Sequence, residues 1–115
     1  MLNPKNILKD KEIISKLFKK GKKEKSAPVL LLSVNNEFET VLFSVSKKNI
    51  PKAVDRNKIK RQMRAIFFNN RHLLNNIKNP KAMAFIYLNN ITVEYAVLEK
   101  SMNTVLKNTN WNEKY

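Results

Sequence analysis

The sequence predicts an α+β fold: a single-domain α/β sandwich in which about three helices pack on a small, mostly antiparallel sheet. A chain of 115 residues with 43% hydrophobic residues suits one modest core. Short apolar runs typical of strands are interspersed with segments of helical spacing, without the regular alternation of a parallel fold. We expect one domain over residues 1–115, with its core at about 8–107 and frayed ends at 1–7 and 108–115.

A short helix is predicted first, followed by a basic segment. Asp10 is the candidate N-cap and Gly21 the stop, after two lysines typical of a helix C-terminus. Residues 22–26 are a possible extra strand. The apolar residues of the helix share one side: Ile13, Ile14, Leu17 and Phe18.

Two strands are predicted next. Pro28 precedes a strand over residues 29–34, Asn35-Asn36-Glu37 has the composition of a turn, and residues 38–45 form the second strand. Because a short turn joins them, we expect the two strands to pair antiparallel. A basic loop follows, which Pro51 keeps out of regular structure.

The second half predicts helix, strand and helix. Asp55 is the expected N-cap of a helix that runs to about residue 70. Residues 82–88 read as a buried strand. Thr92 is the expected cap of the last helix, whose apolar side is Tyr95, Leu98, Met102, Val105 and Leu106.

The charge of the chain indicates a polyanionic partner. There are 23 Lys and Arg against 9 Asp and Glu, for a net charge of +14. Nucleic acid and an anionic membrane surface both attract such a chain. No apolar run approaches the roughly 20 residues that span a bilayer. The absence of Cys excludes disulfides and thiolate metal sites, and we expect a cytoplasmic protein.

All four arginines lie in one segment, from Arg56 to Arg71, which contains no Asp or Glu. On a helix of about 100° per residue, the predicted buried stripe is Ile59, Met63, Ile66 and Phe67. The adjacent sector contains Phe68 and six polar residues: Arg56, Asn57, Lys60, Arg61, Arg64 and Arg71. A solvated helix face usually interleaves acids with bases, so this acid-free sector favours anion recognition.

The segment around this helix resembles the signature of the bacterial ribonuclease P protein family. The matching residues are Phe43-Ser44-Val45-Ser46-Lys47-Lys48, then Ala53-Val54, Arg56-Asn57, Lys60-Arg61 and Arg64. They reproduce the pattern R-N-x-x-K-R-x-x-R of the family's Arg-Asn-Arg helix. A weaker resemblance extends from about Leu8 to Leu106. The family usually carries Gly in the loop before Ala-Val, where this chain has Ile50-Pro51-Lys52.

The resemblance implies a protein that partners the catalytic ribonuclease P RNA and helps to remove the 5′ leader of precursor tRNA. In the family the Mg²⁺ ions are held mainly by RNA, so no catalytic or metal-binding residue is expected in this chain. The implied RNA-binding residues are Arg56, Asn57, Lys60, Arg61, Arg64, Lys47, Lys48 and Lys52. The implied leader-binding cleft, between the first helix and the sheet, contains Ile14, Phe18 and Leu31.

The residues themselves leave other interpretations open. A ribosomal or other structural RNA-binding protein would share the charge and the basic helix. A helix-turn-helix DNA-binding protein is disfavoured because strands flank the basic helix, and peripheral membrane binding is disfavoured because that helix lacks a wide exposed apolar face. Ile14, Leu31 and Phe18 would also serve as ordinary core residues. We expect neither DNA nor membrane as a partner.

Overall fold

A computed structural model describes residues 11–71 and 80–109, so the predicted cap Asp10, the predicted frayed end at 1–7 and all but the first two residues of the one at 108–115 lie outside the described residues. Those two residues are not frayed: Asn108 ends the last helix, and Thr109 is 6% exposed. The predicted order of elements is confirmed, including the extra strand at 22–26. The elements are α1 (Lys11–Lys20), β1 (Lys22–Ser26), β2 (Val29–Asn35), β3 (Thr40–Val45), α2 (Ala53–Asn69), β4 (Lys81–Tyr87) and α3 (Tyr95–Asn108). Within this part of the chain, no helix is long and apolar enough to cross a membrane.

The four strands form one mixed sheet in the order β1-β2-β4-β3. β2 pairs antiparallel with both β1 and β4, whereas β3 and β4 are parallel. Val29 and Val45 both lie level with Tyr87. The start of β2 and the ends of β3 and β4 therefore meet at one end of the sheet, where the basic loop enters α2.

The predicted antiparallel pairing of residues 29–34 with 38–45 is wrong, because β4 lies between these two strands. β4 is buried at six of its seven positions. A strand that is apolar on both faces is best accommodated in the interior of a sheet, where both of its edges are paired. The chain leaving β2 instead crosses the start of β4, where the amide of Asn36 donates a hydrogen bond to the carbonyl oxygen of Pro80 (3.1 Å).

The larger core lies between the sheet and the helices α2 and α3. It contains the predicted stripe of α2 and four of the five predicted apolar residues of α3, whereas Tyr95 is 39% exposed. Three rings form a cluster in this core: Phe85 stacks with the partly buried Phe43 at 5.6 Å between centroids, and Phe67 contacts both rings. Full burial of one such apolar side chain contributes roughly 1.5–3 kcal/mol, so this core fixes the position of α2.

The opposite face of the sheet is covered by α1. Leu17 is fully buried there, with Ile13 and Ile14 partly buried beside it. α1 ends at Lys20, and the amide of Gly21 donates to the carbonyl oxygen of Leu17 (3.0 Å). A Cβ at residue 21 would lie 2.3 Å from that oxygen, which explains why the only glycine of the chain stands here.

Two predicted helix caps are wrong. α2 begins at Ala53 with Lys52 as its N-cap, which places Asp55 in the first turn, where a carboxylate is favourable near the positive end of the helix dipole. α3 begins at Tyr95 with Glu94, not Thr92, as its N-cap. Neither cap residue uses its side chain for a capping hydrogen bond. Tertiary packing of the apolar stripes, and not capping chemistry, sets these helix starts.

Candidate nucleic-acid interface

α2 divides into a buried side and a basic side, as its sequence predicts. The four residues of the apolar stripe are each at most 3% exposed. The neighbouring side carries basic and amide side chains that are exposed or partly exposed. We call this set the α2 basic surface; it consists of Arg56, Asn57, Lys60, Arg61 and Arg64.

Arg56 has a structural role within the α2 basic surface. Its Nη1 atom donates to the carbonyl oxygens of Ile50 (3.0 Å) and Pro51 (2.7 Å). These bonds join the first turn of α2 to the loop before it. Arginine suits this position because its guanidinium group presents several donors in a fixed plane.

The loop before α2 is well anchored although it lacks the glycine that the family resemblance leads one to expect there. Ile50 is 4% exposed and belongs to the larger core, and its amide donates to the carbonyl oxygen of Ser46 (2.9 Å). The side-chain amide of Asn49 donates to the carbonyl oxygen of Leu88 (3.3 Å). With these contacts holding the backbone, the loop exposes three basic side chains. These loop lysines are Lys47, Lys48 and Lys52.

Arg71, which the helical projection places in the basic sector, has an acidic partner. It forms an ion pair with Glu39, in the segment between β2 and β3. The two residues are 32 positions apart in the sequence, so no local pattern predicts this pair. Phe68, placed in the same sector, packs against the larger core. The sector is thus shorter than the sequence predicts and ends at Arg64.

A concave surface lies between α2 and β3, which is the outermost strand on its side of the described sheet. We call it the α2–β3 groove; its volume is about 360 Å³. Four polar side chains of α2 line one side, and three apolar residues of β3 line the other. The lining residues are Asn57, Lys60, Arg61, Arg64, Val41, Leu42 and Phe43.

The predicted cleft beside the first helix requires a correction. Leu31 is fully buried in the core beneath α2 and α3, on the opposite face of the sheet from α1. Since side chains alternate along a strand, its neighbours Leu30 and Leu32 face α1 instead. Ile14 is partly buried beside them, and Phe18 on α1 is 50% exposed. Phe18 therefore has the accessibility that a binding residue needs, whereas Leu31 does not.

Lys81 does not add to the basic surfaces, because it is 4% exposed at the start of β4. It donates a hydrogen bond to Oδ1 of Asn35. Burial lowers the pKa of its ammonium group, and the nearby charge of Lys22 lowers that pKa further. Within residues 11–71 and 80–109, no three His, Cys, Asp or Glu side chains come together as potential ligands of a metal ion.

Sequence patterns identified the helix side of this interface but missed its strand side. Val41 and Phe43 read as ordinary strand residues, and nothing local indicates that they line a groove with α2. The one sequence feature that could have indicated the strand side is the absence of charged residues in β3. An outer strand commonly carries charged residues that prevent unwanted pairing with other chains. β1, at the other edge of the sheet, does carry such residues, with the sequence KKEKS.

The curated proteins that resemble this chain include two ribonuclease P protein components. The ribonuclease P protein component of Chlorobaculum tepidum is 37% identical over 87 residues, which is 69% of this chain and 53% of that protein. A second relative, from Chlorobium phaeobacteroides, is 37% identical over 76 residues, 59% of this chain and 52% of that protein. The chain thus spans about half the length of the curated relatives it matches.

Solved structures agree in fold. The RNase P protein of Staphylococcus aureus superposes with a TM-score of 0.71 at 26% identity, over 89% of this chain and 93% of that one. The RNase P protein from Thermotoga maritima has a TM-score of 0.75 at 22% identity, over 90% and 97% of the two chains. The profile of the family described as Ribonuclease P matches residues 2–110. The protein therefore belongs to the ribonuclease P family.

Proposed function

We propose that this protein is the protein subunit of a bacterial ribonuclease P, in which it binds the catalytic RNA and assists removal of the 5′ leader from precursor tRNA. The observation that carries the proposal is the α2 basic surface. Its residues form an acid-free set on a helix that the core holds in place, in a member of the ribonuclease P family. The chain would be the non-catalytic part of this endoribonuclease, with the chemistry carried by RNA.

The α2 basic surface suits the backbone of a folded RNA. Lys60, Arg61 and Arg64 place three cations within five residues of one helix, so that they can neutralise neighbouring phosphates. Arginine forks bind phosphate oxygens in bidentate fashion, and Asn57 adds both a donor and an acceptor. The loop lysines extend the positive field beyond the start of α2, and the contacts of Arg56 fix the loop that carries them.

Mg²⁺ would be supplied through the RNA partner. The family resemblance implies that the RNA holds these ions, and among the described residues no three His, Cys, Asp or Glu side chains come together as potential ligands. The chain's own contribution is then to neutralise phosphates and to position substrate. A cytoplasmic location follows from the proposed role in tRNA maturation.

We place the precursor tRNA leader along the α1 side of the sheet. Phe18 is half exposed there, and Ile14, Leu30, Leu42 and Ile86 are partly buried beside the smaller core. An exposed aromatic ring can stack on an unpaired base, which is worth roughly 1–3 kcal/mol. This placement keeps Ile14 and Phe18 as candidate leader contacts and replaces Leu31 with the residues that face α1.

Reconstitution with RNA tests the proposed function. The purified protein is combined with a bacterial ribonuclease P RNA and precursor tRNA at low Mg²⁺ concentration, and the rate of leader removal is measured. We expect clear stimulation over the RNA alone, because the added positive charge reduces repulsion between RNA and substrate. Binding of the RNA without any stimulation would instead identify a structural RNA-binding protein.

Phe18→Ala is expected to weaken binding of leader-bearing tRNA to the reconstituted enzyme by about fivefold or more, because stacking on a leader base is lost. Binding of mature tRNA should be unaffected. Phe38→Ala is the matched control, since Phe38 is exposed to a similar extent (52% against 50%) but lies between β2 and β3. Equal losses for both tRNAs would remove Phe18 from the leader site.

A further inference from the structure

The α2–β3 groove has a shape that simple attraction to phosphate does not require. A convex row of lysines is enough to bind the backbone of a duplex. Here the polar side chains of α2 line a concave surface of about 360 Å³, a size within the usual range of roughly 300–1,000 Å³ for small-ligand sites.

The two sides of the groove differ in chemistry. Phe43, which is partly exposed, provides the apolar floor, whereas Val41 lines the groove but is only 2% exposed. Phe43 is held in place by stacking on Phe85 and by edge contact with Phe67. Lys60, Arg61 and Arg64 provide cations on the other side. An apolar floor beside cations matches a group that has a flat aromatic face at one end and an anion at the other. A nucleotide has this combination, with its base and its phosphate.

The groove also offers groups that can distinguish a base. Asn57 lines it with a side chain that can both donate and accept hydrogen bonds. β3 adds backbone groups, because alternate residues of an outermost strand direct their N–H and C=O groups away from the sheet. In an A-form duplex the bases are stacked inside and cannot reach such a floor, whereas an unpaired nucleotide can be turned outward.

We infer that the α2–β3 groove binds an unpaired nucleotide of the RNA partner, with the base on Phe43 and the phosphate at the α2 cations. This inference rests on the proposed function and specifies the RNA element that the same surface recognises. It predicts that recognition combines phosphate neutralisation with contact to a base. It also predicts that single-stranded RNA is preferred over a duplex.

Binding of short RNA probes to the full chain tests the inference. The probes are a single-stranded oligouridylate, an oligomer of equal length whose sugars lack bases, and a blunt RNA duplex. We expect the oligouridylate to bind roughly tenfold more tightly than the base-free oligomer, because base contacts add to phosphate contacts. Equal binding of these two probes would overturn the inference.

Amide NMR spectra locate the probe. Added oligouridylate should shift the backbone amides of residues 41–43 and the side-chain amide of Asn57. These shifts should persist in Phe18→Ala, which separates the groove from the α1 side of the sheet. Shifts confined to the surroundings of Phe18, or the same shifts with the duplex, would contradict the inference.

Paired variants separate the groove from the charge of the helix as a whole. Lys58 and Lys60 lie two positions apart on α2, but only Lys60 lines the groove. Asn57 and Asn69 also both lie on α2, and of these two only Asn57 lines the groove. Lys60→Ala and Asn57→Ala should each weaken oligouridylate binding about tenfold through the loss of a hydrogen bond to RNA, and Lys58→Ala and Asn69→Ala by less than about twofold. Equal losses within each pair would reject the groove. If none of the four replacements changes oligouridylate binding but the protein still stimulates leader removal by ribonuclease P RNA, the proposed function stands without this inference.

Discussion

Replacing Lys60, Arg61 and Arg64 together by Ala is expected to lower affinity for ribonuclease P RNA by roughly three orders of magnitude or more at low salt. Each of these side chains can make a charge-assisted hydrogen bond to phosphate, worth about 1.5–3 kcal/mol. Loss of three phosphate contacts should also reduce the slope of log affinity against log salt by about 2–3. Binding titrations over a series of salt concentrations measure both quantities.

Arg71→Ala is the control for this experiment. Arg71 also belongs to the arginine-rich segment, but it forms an ion pair with Glu39. Its replacement should change affinity by less than about threefold and leave the salt slope nearly unchanged. An unchanged slope in the triple variant would show that α2 does not bind the RNA. A loss for Arg71→Ala as large as that for Arg64→Ala would extend the interface to the end of the helix.

Phe85→Ala is expected to lower the free energy of unfolding by about 3–5 kcal/mol. Phe85 is fully buried on β4, where its ring stacks with Phe43 and contacts Phe67. Truncation leaves a cavity at the point where the sheet meets α2, and surrounding residues fill such cavities only in part. Urea unfolding followed by circular dichroism measures the change.

Phe38→Ala provides the contrast. Because Phe38 is 52% exposed, its replacement should lower the free energy of unfolding by less than about 1 kcal/mol. A small effect of Phe85→Ala would mean that the ring cluster does not anchor α2. A second consequence concerns binding. If the cluster supports the floor of the α2–β3 groove, a folded Phe85→Ala protein should also bind oligouridylate less tightly than Phe38→Ala.

Local patterns were sufficient for the elements and for the helix side of the interface. The spacing of Ile59, Met63, Ile66 and Phe67 identified the buried stripe of α2, and all four are buried. The absence of acids from Arg56 to Arg71 identified the basic side. Both properties depend on helical geometry alone, which the sequence determines through the period of its apolar residues.

Arrangements that depend on distant contacts could not be predicted in this way. Predicting that β4 lies between β2 and β3 requires comparing how well each strand tolerates burial on both faces. The short turn between β2 and β3 favoured a hairpin of those two strands instead. The same comparison is needed for Leu31, because the face of a strand depends on its register. The Arg71–Glu39 pair joins residues far apart in sequence.

The sequence by itself determined that this protein has a basic helix with a separate apolar stripe, and that its signature resembles that of the ribonuclease P family. The tertiary structure alone decided what surrounds that helix. It placed the uncharged outer strand β3 beside the cations of α2, tied Arg56 to the preceding loop and paired Arg71 with an acid. The reason is physical: helix periodicity is a local property, whereas a groove between two elements exists only when packing of the whole core brings them together.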